Sequence, residues 1–373
     1  MIGLPLLPLS IPSPPPDWQI PFSIPFGQWL HGLIAAIPEG QVIQIHSYAL
    51  CILAGIIVAT VMTSRRLTAR GGEPGVVLDV IIWAIPLGLV GARAYHVLSH
   101  PGEYFYDGAN VWNPTLPGSV WAIWEGGNAL FGALIGGAAG AWIGCKLRGI
   151  RLWSFADALA PGMLAAQALG RFGNYFNHEL FGIPTALPWG LEIEPGNSAF
   201  PVGLPAGTLF HPTFLYEMIW NVVGIVFLLT MERKYGLVSR TLGGLKILVP
   251  VGDANRRLQW GKVWALYMVW YGVGRAIFES IRIDPSEIFF GLRTNVWGAI
   301  VTVALGIVLF AVQSRRHPGE EPSIYLPGRQ WNPSGAVDSE ETYSDSDEPG
   351  DGASQPVTQA SENLATSAVG SKP

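Results

Sequence analysis

The stretch that decides the fold is LWSFADALAPGMLAAQAL (152–169), followed directly by GRFGNYFNHELFG (170–182). The first part is an apolar run of nearly the length that crosses a bilayer, for which roughly 20 mostly apolar residues are needed. The second part places polar side chains among glycines and aromatic rings: Arg171, Asn174, Asn177, His178 and Glu179. A polar cluster at the end of an apolar run predicts a membrane protein with a functional site near the membrane surface.

The composition of the whole chain also indicates a membrane protein. Of its 373 residues, 49% are hydrophobic and 13% are charged, whereas a soluble domain has about 25% charged residues. The net charge of −5 arises at one end, because residues 314–373 contain ten Asp and Glu. This segment has too few apolar side chains to form a core, so we predict a disordered, acidic cytoplasmic tail over 314–373.

Seven apolar runs are candidates for membrane spans, and they lie near 45–63, 76–98, 120–145, 152–169, 213–231, 263–281 and 295–313. The connections on one side contain 15 Lys and Arg, whereas those on the other side contain three arginines. Because basic loops stay in the cytoplasm, the N-terminus is predicted outside and the C-terminus inside. The predicted fold is all-α, with seven transmembrane helices over 45–313, an extracytoplasmic segment 1–44 and a small extracytoplasmic head over 171–212.

Four glycines with four-residue spacing mark one face of the third run: Gly132, Gly136, Gly140 and Gly144. Side chains four residues apart share a helix face. In lipid, small residues on such a face let a second helix approach closely. We therefore interpret this stripe as a packing surface and not as part of a catalytic site.

The sixth run contains charged side chains where lipid is expected. Such a charge costs about 2.5–3.5 kcal/mol on insertion scales, so it is by default a candidate for function. Tyr271, Arg275 and Glu279 are spaced by four and share one helix face. Gly272 and Gly274 are interpreted as leaving room for a ligand beside Arg275. A purely structural ion pair between Arg275 and Glu279 is the alternative.

Three further polar residues at the ends of runs are candidates, each with a plainer alternative. Tyr48 opens the first run and could serve only as an interfacial anchor. Arg93 lies near the outer end of the second run and could simply extend to the surface. Glu217, near the start of the fifth run, needs a partner from another helix or a proton.

Arg171 and Arg275 are predicted at similar depth near the outer surface. Each guanidinium offers a planar fork of donors that fits phosphate oxygens. We therefore predict that the stretch 170–182 forms a polar floor for a phospholipid headgroup, with its glycines forming the turns. The alternative is a helix exit whose amides satisfy one another.

These motifs resemble those of the bacterial prolipoprotein diacylglyceryl transferases. GRFGNYFNHELFG is similar to the family pattern Gly-Arg-x-Gly-Asn-x-x-Asn-x-Glu-x-x-Gly. HPTFLYE (211–217) resembles His-Pro-x-x-x-Tyr-Glu, and YGVGRAIFESIR (271–282) resembles Tyr-Gly-x-x-Arg-x-x-x-Glu. GAR (91–93) and IHSYAL (45–50) also match in order and placement. The resemblance covers roughly residues 40–312.

The resemblance implies an enzyme of the bacterial cytoplasmic membrane. Such enzymes move a diacylglyceryl group from phosphatidylglycerol to the thiol of a lipobox cysteine in a prolipoprotein, forming a thioether and releasing glycerol 1-phosphate. The implied partners are phosphatidylglycerol, prolipoprotein signal peptides and membrane lipids. No metal, organic cofactor or nucleic acid is expected, and we expect a monomer.

The resemblance also assigns site residues by position. The implied catalytic residues are Arg171, Arg275, Tyr48 and Glu179, and His178, which the resemblance does not assign, is added as a candidate base. The implied contacts to phosphatidylglycerol are Arg171, Asn174, Arg275, Tyr271, Glu279, Glu217, Arg93 and Gly182.

One position departs from the family pattern. Many members carry a His in a Gly-Gly-x-x-x-His-Gly-Gly-Leu context, whereas this chain reads GGNALFGAL with Phe131 at that place. A mechanism that uses that His as general base cannot operate here. His178 is one replacement, with His46, His96 and His211 as alternatives, and Glu179 would serve only if burial favoured its neutral form.

A phospholipid or anion transporter is the alternative function, because it would use the same arginines as a binding site. Transporters commonly have repeated halves with broken helices near the bilayer midplane. The sequence shows no such internal symmetry, and its polar residues cluster toward one face of the membrane.

Overall fold

The structure, a computed structural model, describes residues 10–24, 43–106, 108–109, 111–113, 118–123, 126–234, 236–242, 245–251, 258–284 and 286–331. Within these ranges, one long helix lies over each of the seven apolar runs. The helices are α1 Ser47–Thr68, α2 Val76–Ser99, α3 Leu130–Leu147, α4 Leu152–Phe176, α5 Thr213–Lys234, α6 Lys262–Ile281 and α7 Thr294–Arg316. Two short helical turns, Pro16–Trp18 and Pro101–Tyr104, complete the helical structure of the described ranges.

Four two-stranded antiparallel sheets are also present in the described part of the chain. Strands β1 (Phe22–Ile24) and β2 (Ile43–Ile45) pair just before α1. The other pairs connect consecutive helices: β3 (Leu191–Glu192) with β4 (Leu209–Phe210), β5 (Gly236–Leu242) with β6 (Leu245–Val251), and β7 (Ile288–Phe289) with β8 (Leu292–Arg293). The protein is therefore mostly helical.

Five of the long helices, α1, α2, α3, α5 and α7, are long and apolar enough to cross a membrane. This is consistent with an integral membrane protein. Helices α4 and α6 are not among these five, and they carry charged residues such as Arg171 in α4 and Arg275 and Glu279 in α6. Charged residues of the predicted site thus occur in α4 and α6, and also in α5, which carries Glu217, and in α2, which carries Arg93.

The predicted third span, 120–145, is wrong at its beginning. Gly126 and Gly127 have φ angles of +94° and +66°, which a helix does not accommodate, and α3 begins at Leu130. Arg93 of α2 holds the preceding loop. Its guanidinium donates to four backbone carbonyl oxygens, those of Ser119, Val120, Gly126 and Gly127.

The glycine stripe of the third run packs α3 against α2, as its spacing predicts. A Cβ atom at Gly132, Gly136, Gly140 or Gly144 would lie under 3.0 Å from backbone atoms of α2. Because real Cβ atoms do not approach this closely, the two helices can adopt their separation only with glycine on this face.

The prediction of a disordered tail from residue 314 is wrong for its first part. Helix α7 continues to Arg316, and residues 318–331, here called the C-terminal strap, pack against other elements. Ile324 and Tyr325 are buried in a cluster with Leu67 of α1, Val76 of α2 and Phe155 of α4. The sequence pattern is polar on average, but two apolar side chains suffice to anchor the strap. Residues 332–373 lie outside the described part.

Backbone hydrogen bonds fix the strap to the connection between α3 and α4. The amide of Arg151 donates to the Ile324 carbonyl at 2.8 Å, and the amide of Leu326 donates to the Gly149 carbonyl at 2.7 Å. Ser154 donates a side-chain hydrogen bond to Glu321. The strap therefore joins the ends of α1, α2 and α4.

Removing the strap should lower the thermal stability of the protein. Burial of a large apolar side chain contributes about 1.5–3 kcal/mol, and a chain ending at His317 loses both Ile324 and Tyr325. A chain ending at Trp331 keeps them and is the matched control. Thermal unfolding in detergent should show a lower melting temperature for the shorter chain alone; equal melting temperatures would contradict the packing described for the strap.

Neighbouring glycines in α3 should respond differently to alanine. Gly136→Ala forces a Cβ against the Leu87 carbonyl, whereas a Cβ at Gly137 has its nearest neighbour, the Ala84 carbonyl oxygen, at 3.9 Å. Overpacking of this kind typically costs about 1–3 kcal/mol. Gly136→Ala should therefore lower the melting temperature in detergent and Gly137→Ala should leave it near that of the unchanged chain. Equal melting temperatures for the two variants would contradict the close approach of α2 and α3 at Gly136.

Candidate functional site

A cavity of about 320 Å³ lies between helices α1, α3, α4, α5 and α6. It brings together six of the site residues predicted from the sequence: Tyr48, Arg171, Asn174, Glu217, Tyr271 and Arg275. They come from four different helices, so the cavity depends on the packing of the whole bundle. With Arg282, which also lines it, the cavity combines three guanidinium groups, a carboxylate and two phenols.

Arg171 lies in the last turns of α4 and is held from two directions. Its Nε lies 2.6 Å from Oε2 of Glu217 on α5, and its Nη1 donates to Oδ1 of Asn174 at 3.1 Å. Asn174 in turn donates from Nδ2 to Oε1 of Glu179 at 2.8 Å. Glu179 therefore orients the Asn174 amide by accepting a hydrogen bond from its nitrogen, while the amide oxygen contacts Arg171. Glu217 balances the charge of Arg171.

Arg275 belongs to a second charged network, centred on a fully buried carboxylate. Glu279 is 0% exposed and lies 2.9 Å from Arg275, 3.0 Å from Arg293 and 3.5 Å from Arg282. Asn295 of α7 also donates to Glu279 at 2.9 Å. Glu279 is thus enclosed by its partners, which makes it a support for Arg275 and not a wall of the cavity.

This second network carries an excess of positive charge. Asp284 pairs with Arg282 at 2.7 Å and with Arg293 at 3.1 Å. Three guanidinium groups therefore share two carboxylates, Glu279 and Asp284, which leaves one net positive charge. Arg275 and Arg282 both reach the cavity wall. An anion that enters the cavity therefore meets a surface with unbalanced positive charge.

Two glycines of α6 lie close to Arg275 in sequence, and their surroundings differ. A Cβ at Gly274 would collide with the indole of Trp220, and one at Gly272 would collide with Val303 of α7. Trp220 stacks on Trp270 with ring centroids 4.4 Å apart. The interpretation that both glycines leave room for a ligand is therefore wrong for Gly272, which admits α7, whereas Gly274 lies in the cavity wall together with Trp220.

The glycines of 170–182 do not form the turn that the sequence predicts for them. Gly170 and Gly173 lie within α4, and the positive φ angles belong to His178 (+53°) and Leu180 (+59°). Gly173 instead makes space for the ring of Tyr48, which a Cβ would meet at 2.6 Å. The glycine has its effect through close packing, which brings Tyr48 against the helix that carries Arg171.

His178 lies in the folded segment between α4 and α5 and not in the cavity wall. Its Nδ1 is 3.1 Å from Oε2 of Glu194 and 3.3 Å from Oγ of Ser13. Burial disfavours the charged form of Glu194, but hydrogen bonds from Ser13, the backbone and His178 outweigh it and hold the pKa of Glu194 below its ordinary value. These contacts indicate that His178 stabilises this segment.

Gly182 and Arg93 also lie away from the cavity wall. Gly182 packs against His211 and the carbonyl of Ile281, where a Cβ would lie 2.8 and 3.1 Å away. Arg93, 6% exposed, is occupied by the loop carbonyls described above. Both residues therefore shape the surroundings of the site, and neither contacts the space where a substrate would bind.

The wall residues that the sequence analysis missed include Gln167, Trp220 and Asn221. Gln167 and Asn221 are polar residues inside apolar runs, which is the same signal that identified Glu217. Gln167 donates to the Tyr267 hydroxyl at 2.9 Å. Trp220 carries no comparable signal, because an indole in an apolar run is common.

Comparison with known proteins agrees with the motifs. The sequence model of the prolipoprotein diacylglyceryl transferases matches residues 36–312. This chain belongs to the prolipoprotein diacylglyceryl transferase family. The matched range of this transferase family includes every cavity residue named above.

Three relatives carry a name within the same family. A phosphatidylglycerol–prolipoprotein diacylglyceryl transferase of Leifsonia xyli subsp. xyli is 54% identical over 93% of this chain and 96% of its own length. Proteins so named from Streptomyces coelicolor (numbered 2) and Streptomyces griseus are 41% and 42% identical. They cover 77% and 78% of this chain and 81% and 79% of their own lengths. These names give the transporter alternative no support.

Removing the buried carboxylate of Glu279 should destabilise the protein strongly. Loss of one partner from a buried ion pair typically costs about 3–5 kcal/mol, because the remaining charges stay buried without balance. Glu73→Ala is the control, since Glu73 pairs with Arg148 at 3.2 Å on the exposed surface, and such pairs contribute about 0–1 kcal/mol. Thermal unfolding should show a large drop in melting temperature for Glu279→Ala alone. Similar melting temperatures for both variants would contradict the charged network around Glu279.

Proposed function

We propose that this protein transfers the diacylglyceryl group of phosphatidylglycerol to the thiol of a lipobox cysteine in prolipoproteins. The products are a thioether-linked lipid on the cysteine and glycerol 1-phosphate, and the reaction begins lipoprotein maturation. The observation that carries this proposal is the cavity into which Arg171 and Arg275 enter from separate helices. Membership of the family supports the same reaction.

The cavity suits the departure of a phosphate. The thiol sulfur attacks a saturated glycerol carbon, the carbon–sulfur bond forms, and the carbon–oxygen bond to the phosphate breaks. The electron pair of the broken bond stays on the phosphate oxygen, which gains negative charge. Arg275 and Arg282 present unbalanced positive charge at this place, and preorganised donors of this kind stabilise a transition state in which such charge develops.

The remaining wall residues would orient the two substrates. Arg171 offers donors to the phosphate, while Asn174 and Tyr271 supply hydrogen bonds beside it. Tyr48 contributes a hydroxyl from α1, where its ring packs against Gly173 of the helix that carries Arg171. Glu179, Glu279, Gly182, Arg93 and His178 would act indirectly, by positioning wall residues or the loops around them.

We propose that all seven helices cross the cytoplasmic membrane, with the N-terminus outside and the C-terminus in the cytoplasm. Basic residues such as Arg65, Arg66 and Arg148 occur at the ends of helices opposite to the cavity, as the positive-inside rule requires. The cavity then faces the outer leaflet, where phosphatidylglycerol and secreted prolipoproteins meet. The extracytoplasmic head, predicted over 171–212, then begins at residue 177, because α4 continues to Phe176; that the protein is a monomer stays a prediction.

Membranes that contain this protein, phosphatidylglycerol as sole donor and a lipobox peptide should yield lipidated peptide and glycerol 1-phosphate. Arg171→Ala and Arg275→Ala should each lower kcat by about 10²–10³-fold, the typical effect of removing one preorganised donor. Mass spectrometry of the peptide measures the rate.

Arg148→Ala is the matched control, because Arg148 also pairs with carboxylates, Glu73 and Asp79, but at exposed positions away from the cavity. It should retain full activity. Lipid flux in vesicles without any peptide, together with no lipidated product, would favour a transporter and overturn the proposal. Full turnover by both arginine variants would overturn the assignment of the phosphate site.

A further inference from the structure

The position and contacts of Glu217 point to a catalytic residue for the proposed reaction. We infer that Glu217 accepts the proton of the attacking cysteine thiol, and that Arg171 makes this carboxylate available only when the donor lipid is bound. This inference rests on the proposed function, because it concerns a step within the same cavity.

Three carboxylates lie near the cavity, and their contacts separate them. Glu279 is fully buried and enclosed by three arginines and Asn295. Glu179 accepts hydrogen bonds from Asn174 and Asn177 on a single oxygen, behind the wall. Glu217 is the carboxylate that lines the cavity itself within the described part of the chain. It is therefore the acid that a bound thiol can reach.

No histidine among the described residues lines this cavity. His211 lies 3.1 Å from the Tyr216 hydroxyl, His96 stacks on His100, and His178 contacts Glu194. The ring of Phe131 is 53% exposed and lies against Tyr95, with centroids 6.3 Å apart. Proton transfer from the thiol therefore falls to a group other than imidazole.

The ion pair between Arg171 and Glu217 links proton transfer to lipid binding. At 2.6 Å from the Arg171 guanidinium, one oxygen of this carboxylate is occupied by the ion pair. A phosphate that binds the same guanidinium competes with Glu217 for its donors. Lipid binding then frees the carboxylate oxygen that was paired with Arg171, so that Glu217 can accept a proton from a thiol in the same cavity.

The atoms of this step balance without a further reactant. The thiol proton moves to a carboxylate oxygen of Glu217 while the sulfur forms its bond to the glycerol carbon. The bond between that carbon and the phosphate oxygen breaks, and glycerol 1-phosphate leaves with the electron pair. The proton of Glu217 then passes to the departing phosphate or to water, which restores the ion pair with Arg171.

The test compares two lipobox peptides, one with cysteine and one with selenocysteine at the acceptor position. A selenol is already ionised at neutral pH, so its reaction needs no base. Glu217→Gln should lower kcat for the cysteine peptide by about 10²–10⁴-fold, the usual contribution of a general base. The selenocysteine peptide should recover kcat to within about tenfold of the unchanged protein, since its nucleophile needs no proton acceptor.

Two further variants make the result specific. Arg275→Ala should impair both peptides equally, because it removes phosphate contacts and not the base. His178→Asn should leave the ratio of the two rates unchanged. The inference about Glu217 is wrong if His178→Asn lowers kcat for the cysteine peptide alone. It is also wrong if Glu217→Gln lowers kcat for both peptides to the same extent. In either case the proposed function stands.

Glu217→Asp covers the case in which the Gln variant fails to fold. It keeps the charge beside Arg171 but withdraws the carboxylate from the thiol, so only the cysteine peptide should react more slowly. An equal loss with both peptides contradicts the inference. Failure of the unchanged protein to lipidate either peptide would instead contradict the proposed function.

Discussion

Charged groups inside an apolar helix bundle must be paired, and this constraint shapes both ends of the molecule. At one end, Glu232 of α5 pairs with Arg66 of α1 at 2.8 Å and with Arg70, just after α1, at 2.5 Å. At the other end, the Arg171–Glu217 pair and the network of Glu279 join α4, α5, α6 and α7. Because an unpaired charge in this environment is costly, the pairs fix how the helices meet and where the cavity forms.

Close backbone packing provides the rigidity that the charged pairs need. Glycines let α3 approach α2 and let Tyr48 of α1 approach α4, while Trp220 fills the gap beside Gly274. The cavity is therefore bounded by helices with little freedom to separate. Rigid walls keep Arg171 and Arg275 directed at one space, so that their donors need no reorganisation when a phosphate departs.

The sequence predicted the apolar runs and six cavity residues, because hydropathy and isolated polar residues are local signals. Prediction from the sequence failed where contacts between residues distant in the chain determine the local structure. Nothing local shows that His178 and Leu180, and not the nearby glycines, adopt positive φ angles, or that Trp220 fills the space beside Gly274. The strap was missed because Ile324 and Tyr325 are only two apolar residues in a polar segment, and their burial depends on helices distant in sequence.

The central claim is that Arg171 and Arg275 bind one phosphate together. A double-mutant cycle on the affinity for short-chain phosphatidylglycerol, with Arg171→Ala, Arg275→Ala and both combined, tests this most directly. Two groups that hold the same ligand should be coupled by about 0.5–3 kcal/mol. Losses that simply add, with no coupling between the two substitutions, would show that the guanidinium groups serve separate places and would contradict the account.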